Sequence, residues 1–407
     1  MVSKLYKQTL LTVLMISVIA IQKGYSQSQA TDSLTLNSII SEVVLNHPMV
    51  KKAQEGLAVA DAKIGLAEAN RMPYVDVTTS YARIGPVSSI SIPEFGTFSF
   101  VPHDNYSAML NVNQTISDFG KTEKAIQLEK AGKELTVQSV EQVKQKLSQS
   151  VIYNYYTLVY LQEALKIKEE QLRTLNEHLM NIQKKLETGT ATQYEVLTTE
   201  VRISAIENQK TDLETARKVQ ICQLNLLLGK PETTPQLVKR SFTGSIQELQ
   251  PDALIESAMQ NRDEMKMARE KSKLANMRLN LTNAQNNPVL NAFVSGGIKD
   301  GYTPYIYDPK ANFTAGFGFK VPVFDGKRLK YSQEQARSAI QENDLDTEIT
   351  RRGIVNDVVE AESNVNASAK KVVQSELQLK QATAAYALAR VKFEAGVITN
   401  LELIDGS

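Results

Sequence analysis

Two periodicities take turns along this chain. Leu158, Leu161, Leu165, Leu172, Leu175, Leu179, Ile182 and Leu186 are spaced in alternating steps of three and four, with Lys168 in the one skipped place. This is a heptad seam and predicts a helix packed along one stripe. No proline lies between Gly120 and Gly189, and Gly132 is the only internal glycine. About 69 residues at ~1.5 Å rise therefore predict a rod roughly 100 Å long. The pattern stops at Gly189-Thr190-Ala191-Thr192, where glycine suits a left-handed cap and threonine the start of another helix. A return helix then runs through Val196, Leu197, Val201, Ile206, Leu213, Val219 and Leu224 to Leu226-Leu227-Leu228-Gly229-Lys230-Pro231, a firm stop.

Ahead of the rod the period changes to two. A helix is predicted from about 34 to 70, capped by Thr31-Asp32-Ser33 and broken near Pro48. After Pro73, Val75, Val77, Thr79 and Tyr81 alternate with Asp76, Thr78, Ser80 and Ala82, a strand at about 74–84. A loop rich in Ser, Pro, Gly and Phe is expected from Ile84 to Asp104. A second strand, about 105–118, sets Tyr106, Ala108, Leu110, Val112 and Ile116 against Ser107, Asn111, Asn113, Thr115 and Ser117.

The order then repeats. A helix predicted over about 253–286 meets Pro288, which stands 215 residues after Pro73. Strands follow at about 289–297 and 312–325, the second alternating Phe313, Ala315, Phe317, Phe319, Val321 and Val323 with Thr314, Gly316, Gly318 and Lys320. Phe324-Asp325-Gly326-Lys327 mirrors Asp118-Phe119-Gly120-Lys121, and a second rod spans Gly326 to Gly396. The organisation expected is a signal at 1–26, a first structural repeat at 27–230, an inter-repeat segment at 231–250 and a second repeat at 251–407. The first repeat continues for 40 residues from Gly189 to Gly229, whereas only 11 residues follow Gly396. By that comparison a final return helix is expected to be missing and the natural chain to be longer.

Composition narrows the setting. Lys4 and Lys7, an apolar run from Leu10 to Ile21 and small residues at Gly24 and Ser26 have the order of a secretory signal. That segment holds Lys4, Lys7 and Lys23 and no acid, so its removal takes the net charge from +1 to −2. This balance argues against nucleic acid. Cys222 is the only cysteine, so no internal disulfide is possible, and none follows the signal to carry a lipid. No later stretch reaches the ~20 apolar residues of a spanning helix.

Strands of about ten residues with one apolar and one polar face match membrane β-strands. Half-buried strands in water alternate as well. Four strands cannot close a barrel, and open edges in lipid leave backbone groups unpaired, so a membrane reading requires other copies of the chain.

With the tandem repeat, Asn46-His47-Pro48, the Leu226–Pro231 closure and the turns Leu186–Leu197 and Phe393–Ile404, the chain resembles the outer membrane efflux protein family, the TolC-like ducts. The resemblance covers nearly all of the mature chain. It implies a mostly helical protein with membrane β: a homotrimer whose twelve-stranded barrel continues into an α-helical periplasmic barrel. It further implies a location in the bacterial outer membrane extending into the periplasm, and a passive exit duct for small molecules or proteins in tripartite efflux or type I secretion. Implied partners are a periplasmic membrane fusion adaptor, an inner-membrane pump and outer membrane lipid. The adaptor-contacting tip would comprise Gly189, Thr192, Glu195 and Val196 with Gly396, Leu401, Glu402 and Leu403. Tyr106, Ala108, Leu110, Val112, Phe313, Phe317 and Phe319 would face lipid. Lys184, Lys185, Glu187, Arg390, Lys392, Glu394 and Asp405 flank the turns and are candidates for ion pairs that hold the tip closed.

No catalytic residue, cofactor or metal is expected. His47, His103 and His178 fall in different predicted elements. Gly229-Lys230 lacks the glycine loop of a phosphate site. Met259, Met265, Met267 and Met277 share one helix, where methionine ordinarily fills core rather than lining a copper path. Two competing readings are a structural or adhesive coiled-coil protein of the cell surface, which would lack lipid-facing strands, and an adaptor, which would need a soluble β-rich domain.

Overall fold

The computed structural model describes residues 34–240 and 250–405. The expected signal at 1–26, the Thr31-Asp32-Ser33 cap and residues 241–249 of the inter-repeat segment lie outside them. In chain order the elements are α1 (Leu36–Asn46), α2 (Pro48–Ala69), β1 (Tyr74–Arg83), β2 (Ser89–Ile92), β3 (Gly96–Ser99), β4 (Asp104–Ser117), α3 (Lys121–Glu187) and α4 (Gln193–Leu228). They continue as α5 (Pro251–Asn261), α6 (Asp263–Asn283), β5 (Val289–Lys299), β6 (Lys310–Lys320), α7 (Arg328–Glu394) and α8 (Asn400–Asp405). No described helix is long and apolar enough to cross a membrane, which says nothing of the strands.

Equivalent elements recur at fixed offsets. α1 and α5 are both 11 residues long, and α3 and α7 are both 67. The offset is 215 residues from α1 to the start of β1 and 207 through the long helix, so eight residues are lost between them.

Both long helices are launched by an aspartate. Thr122 N–H donates to Asp118 Oδ2 at 2.6 Å and Leu329 N–H donates to Asp325 Oδ2 at 2.8 Å, which satisfies an orphan first-turn donor in each. Two left-handed residues follow each aspartate: Phe119 and Gly120 (φ 52° and 93°), then Gly326 and Lys327 (φ 70° and 69°). The copies therefore align on aspartate rather than on glycine, which has moved by one place between them.

The helix expected at about 253–286 is two helices. His47 (φ −64°, ψ 133°) and Arg262 (φ −66°, ψ 136°) make the same extended break, 215 residues apart. Pro48 enforces the first, since the residue before proline avoids helical geometry. At the second, Arg262 reaches Glu264 at 3.2 Å and Asp357 at 2.8 Å. No breaker residue marks it in the sequence. The α1 cap is Thr35, whose Oγ1 accepts from Ser38 N–H at 3.3 Å.

The chain forms two units, described separately. The first comprises residues 34–47, 147–240 and 380–405. Its apolar seam runs inward along α3, where Leu158, Leu161, Leu165, Leu175 and Ile182 are buried. Leu175 packs with Ile203 and Ile206 of α4, flanked by Leu172 and Leu179. Beyond α4, fully buried Asn225 donates to the Glu232 and Thr234 carbonyls at 3.0 and 2.8 Å and accepts from Gln236 Nε2 at 2.7 Å. The loop it organises reaches Val238, which bridges Leu34, while the Tyr155 hydroxyl donates to the Lys239 carbonyl.

The second unit, residues 48–146 and 250–379, holds an antiparallel sheet of order β1-β4-β5-β6. The region expected to be a plain loop at 84–104 contains the β2–β3 hairpin, with Ile90 opposite Phe98. Four residues of Ser-Ile alternation are too short a run to stand out among prolines and glycines. β6 ends at Lys320 and not near 325, because Pro322 has no N–H to continue the ladder.

Candidate functional site

Register sorts the sheet residues onto two faces, since directly paired residues of antiparallel strands point the same way. One row is Val75, Val112, Val294 and Ala315, and another is Val77, Leu110, Gly296 and Phe313. Gln114, Ala292 and Phe317 make a third, with Gln114 the polar member. Phe313 and Phe317 are 82% and 78% exposed. Tyr106, Ala108, Leu110 and Phe319 are exposed as well, whereas Val112 is half-buried among its neighbours. Aromatic pairs stand at both ends of this face: Tyr81 and Tyr106 with ring centroids 5.1 Å apart, and Phe119 and Phe319 at 6.4 Å.

The opposite face is mainly polar and hydrogen-bonded to itself. Asn111 Nδ2 donates to Asp76 Oδ2 at 3.0 Å and to Thr78 Oγ1 at 3.1 Å, and Ser295 Oγ donates to Asn111 Oδ1 at 2.7 Å. One amide thereby links three strands. Gly316 lies under the Phe293 ring, whose nearest carbon would stand 2.8 Å from an added Cβ.

In the first unit the two turns are copies. Gly189 and Gly396 take φ of 73° and 72°. Thr190 N–H donates to the Lys185 carbonyl and Val397 N–H to the Lys392 carbonyl, both at 2.8 Å. The left-handed glycine thus closes each long helix. Each turn then opens the next helix with a reciprocal cap. Thr192 N–H donates to Glu195 Oε2 at 2.7 Å while Glu195 N–H donates to Thr192 Oγ1 at 3.3 Å. Thr399 N–H donates to Glu402 Oε2 at 2.8 Å while Glu402 N–H donates to Thr399 Oγ1 at 3.3 Å. Hydrogen bonds from the Thr399 N–H first and its hydroxyl second hold the Glu402 carboxyl below the usual carboxylate range. The repeated Thr-x-x-Glu spacing would have found Thr399 as the counterpart of Thr192.

The eight expected tip residues divide by exposure. Gly189, Thr192, Gly396, Leu401 and Glu402 are exposed and Glu195 is half-buried. Val196 and Leu403 are each 5% exposed and pack inward, anchoring their helices.

Asn400, 3% exposed, ties the turns together. Its Oδ1 accepts from His178 Nε2 at 2.5 Å, and its Nδ2 donates to Thr199 Oγ1 at 3.3 Å and to the Glu195 carbonyl at 3.4 Å. His178 also meets Phe393 edge-on at 5.3 Å, and Lys185 Nζ sits 4.4 Å from the same ring. Sequence reading weighed His178 only as a metal or catalytic residue and did not single out Asn400 or Thr199. Among the flanking charges, Arg390 pairs with Glu394 of the same helix at 3.2 Å. The Asn400 node is the described side-chain link between the two turns.

These paired turns and the two-faced sheet accompany a match to the outer membrane efflux protein family over residues 39–230 and 254–405. The chain belongs to this family. Among curated proteins it is 21% identical over 310 residues to the alkaline protease secretion protein AprF of Pseudomonas aeruginosa, covering 74% of this chain and 64% of that one. It is 23% identical over 367 residues to nodulation protein T of Rhizobium leguminosarum bv. viciae, covering 86% and 73%. The chain thus spans less than two thirds of AprF. Among solved structures, the outer membrane protein VceC of Vibrio cholerae superposes with a TM-score of 0.74 at 18% identity, over 91% of this chain and 88% of that one. CusC superposes with a TM-score of 0.75 at 18% identity, over 94% and 88%. These likenesses show the fold. As an outer membrane efflux family member the chain is placed in the outer membrane.

Proposed function

We propose that three copies of this chain form the outer-membrane exit duct of a tripartite efflux or type I secretion system, a passive channel rather than an enzyme. The supporting observation is the sheet: an apolar face with aromatic residues at both ends, and edge strands β1 and β6 each paired on one side only. About ten residues at ~3.3 Å, tilted by about 40°, cover roughly 25 Å, the height of a lipid-facing band. Unpaired edges are untenable in lipid, and edge-to-edge joining of three four-stranded sheets closes a twelve-stranded barrel. The polar face, with its Asn111 network, then lines the lumen.

The two structural repeats, 27–230 and 251–407 joined through 231–250, supply equivalent helices to the periplasmic wall. The exposed residues Thr192, Leu401 and Glu402 of the paired turns meet a membrane fusion adaptor, which brings the inner-membrane pump. Family membership and the secretion role in the name of AprF support export as the activity, with small molecules or proteins as cargo. The oligomer in detergent tests this reading. The expected result is a trimer whose gel migration shifts on heating, and a monomer without heat-modifiable migration would sink it.

A further inference from the structure

The polar face of the sheet carries an imbalance of charge, with Lys299, Lys310 and Lys320 against the one strand acid Asp76. In the row nearest the strand ends away from α3 and α7, Ser80 pairs with Ser107, Ser107 with Lys299, and Lys299 with Lys310. Two lysines therefore stand directly opposite one another on the same face. Side chains so placed have Cβ atoms only about 4.5–5.5 Å apart, and like charges there destabilise the pairing. Asp104, the acid at this end of β4, is taken by Arg83 at 3.4 Å and Tyr81 at 2.9 Å. Lys310 Nζ instead lies 5.4 Å from the Tyr305 ring. The acid on this face, Asp76, is engaged by Thr78 and Asn111 two residues in from the start of β1. A like-charge pair without a carboxylate partner, on a face whose one strand acid is already hydrogen-bonded, offers a site for an external counter-charge.

Resting on the duct reading, we propose that Lys299 and Lys310 form a cationic collar inside the loop-end mouth of the channel, which binds multivalent anions and favours cargo bearing carboxylate or phosphate groups. Three protomers place six ammonium groups around one lumen. Rings of lysine act in this way in anion and phosphate pores, because low-dielectric walls focus their field on the axis. Collar and lipid-facing band do not compete, since register puts both lysines on the face opposite Phe313 and Phe317.

The test is side-specific block of the full-length trimer in a planar bilayer, with inositol hexakisphosphate as the probe. Added from the loop side, it should reduce the wild-type current, and Lys299→Gln with Lys310→Gln should raise the half-blocking concentration at least tenfold. Lys320→Gln, at the other end of β6, should leave the block unchanged. Conducting wild-type trimers that are not blocked, or a double variant blocked as strongly as wild type, would overturn the collar while leaving the duct intact. Failure of the wild-type chain to conduct at all would overturn the duct reading, and the collar with it.

Discussion

His178 Nε2 donates to Asn400 Oδ1 at 2.5 Å, a bond between residues 222 positions apart that ties α3 to the start of α8. Asn400 is buried with three side-chain bonds made, so truncating it leaves the His178 Nε2 donor without its partner, while Thr199 keeps its bond to the Glu195 carbonyl. A buried group left without its partner costs about 1–3 kcal/mol. Asn400→Ala is therefore expected to destabilise the turns by that amount, read as faster amide exchange over 186–198. His178→Gln retains a side-chain N–H at a similar reach, and its effect should be clearly smaller. Equal exchange in wild type and Asn400→Ala would show that the node does not hold the turns.

Protonation should loosen the second turn. The Glu402 carboxyl is held low by Thr399, so its folded value lies below its unfolded one. A depressed carboxylate contributes fully above the ordinary value near 4.5 and loses that contribution as pH falls through the folded value. The Thr399 amide resonance should follow this titration. Glu402→Gln preserves the capping box but removes the charge, so the cap should persist and its pH dependence vanish. A Thr399 amide that titrates identically in both proteins would contradict the assignment.

Strand pairing depends on Gly297. A Cβ there would collide with the Ala108 carbonyl oxygen and come within 2.8 Å of the Met109 Cα, both backbone atoms that cannot swing away. Gly297→Ala is expected to break β4–β5 pairing and abolish folded oligomer, whereas Gly318→Ala, with nothing within 4 Å, should assemble normally. Heat-modifiable migration of the two variants provides the comparison.

The two faces of the sheet should respond oppositely to charge. Phe317→Arg puts a cation on the lipid side, at a cost of about 2–4 kcal/mol near the membrane midplane. Thr314→Arg places the same group on the polar side and should be tolerated. Outer-membrane yield and trimer content are the readouts, and equal loss in both variants would argue against the assignment of faces.

Element types were legible in the sequence because they arise from local periodicity. The heptad seam of α3, the alternation around Leu110 and Phe317, and the Gly189 and Gly396 turns all follow from spacing and backbone preference over a few residues. The tandem repeat was legible for the same reason, as was the apolar face, whose strands need only alternate for register to align them.

What only the tertiary structure decided involves residues distant in sequence or conformations that several side chains tolerate. Arg262 breaks a helix without any breaker residue, its guanidinium reaching Asp357 from 95 positions away. Phe119 and Lys327 adopt left-handed geometry beside a glycine, so the repeats align on Asp118 and Asp325 rather than on glycine. Val196 and Leu403 turn inward, while their neighbours Glu195 and Glu402 cap their helices. The bond between His178 and Asn400 exists only because α3 and the start of α8, separately coded, fold against each other. Spacing along the chain set the period of each element, and packing between elements chose the partner of each polar side chain.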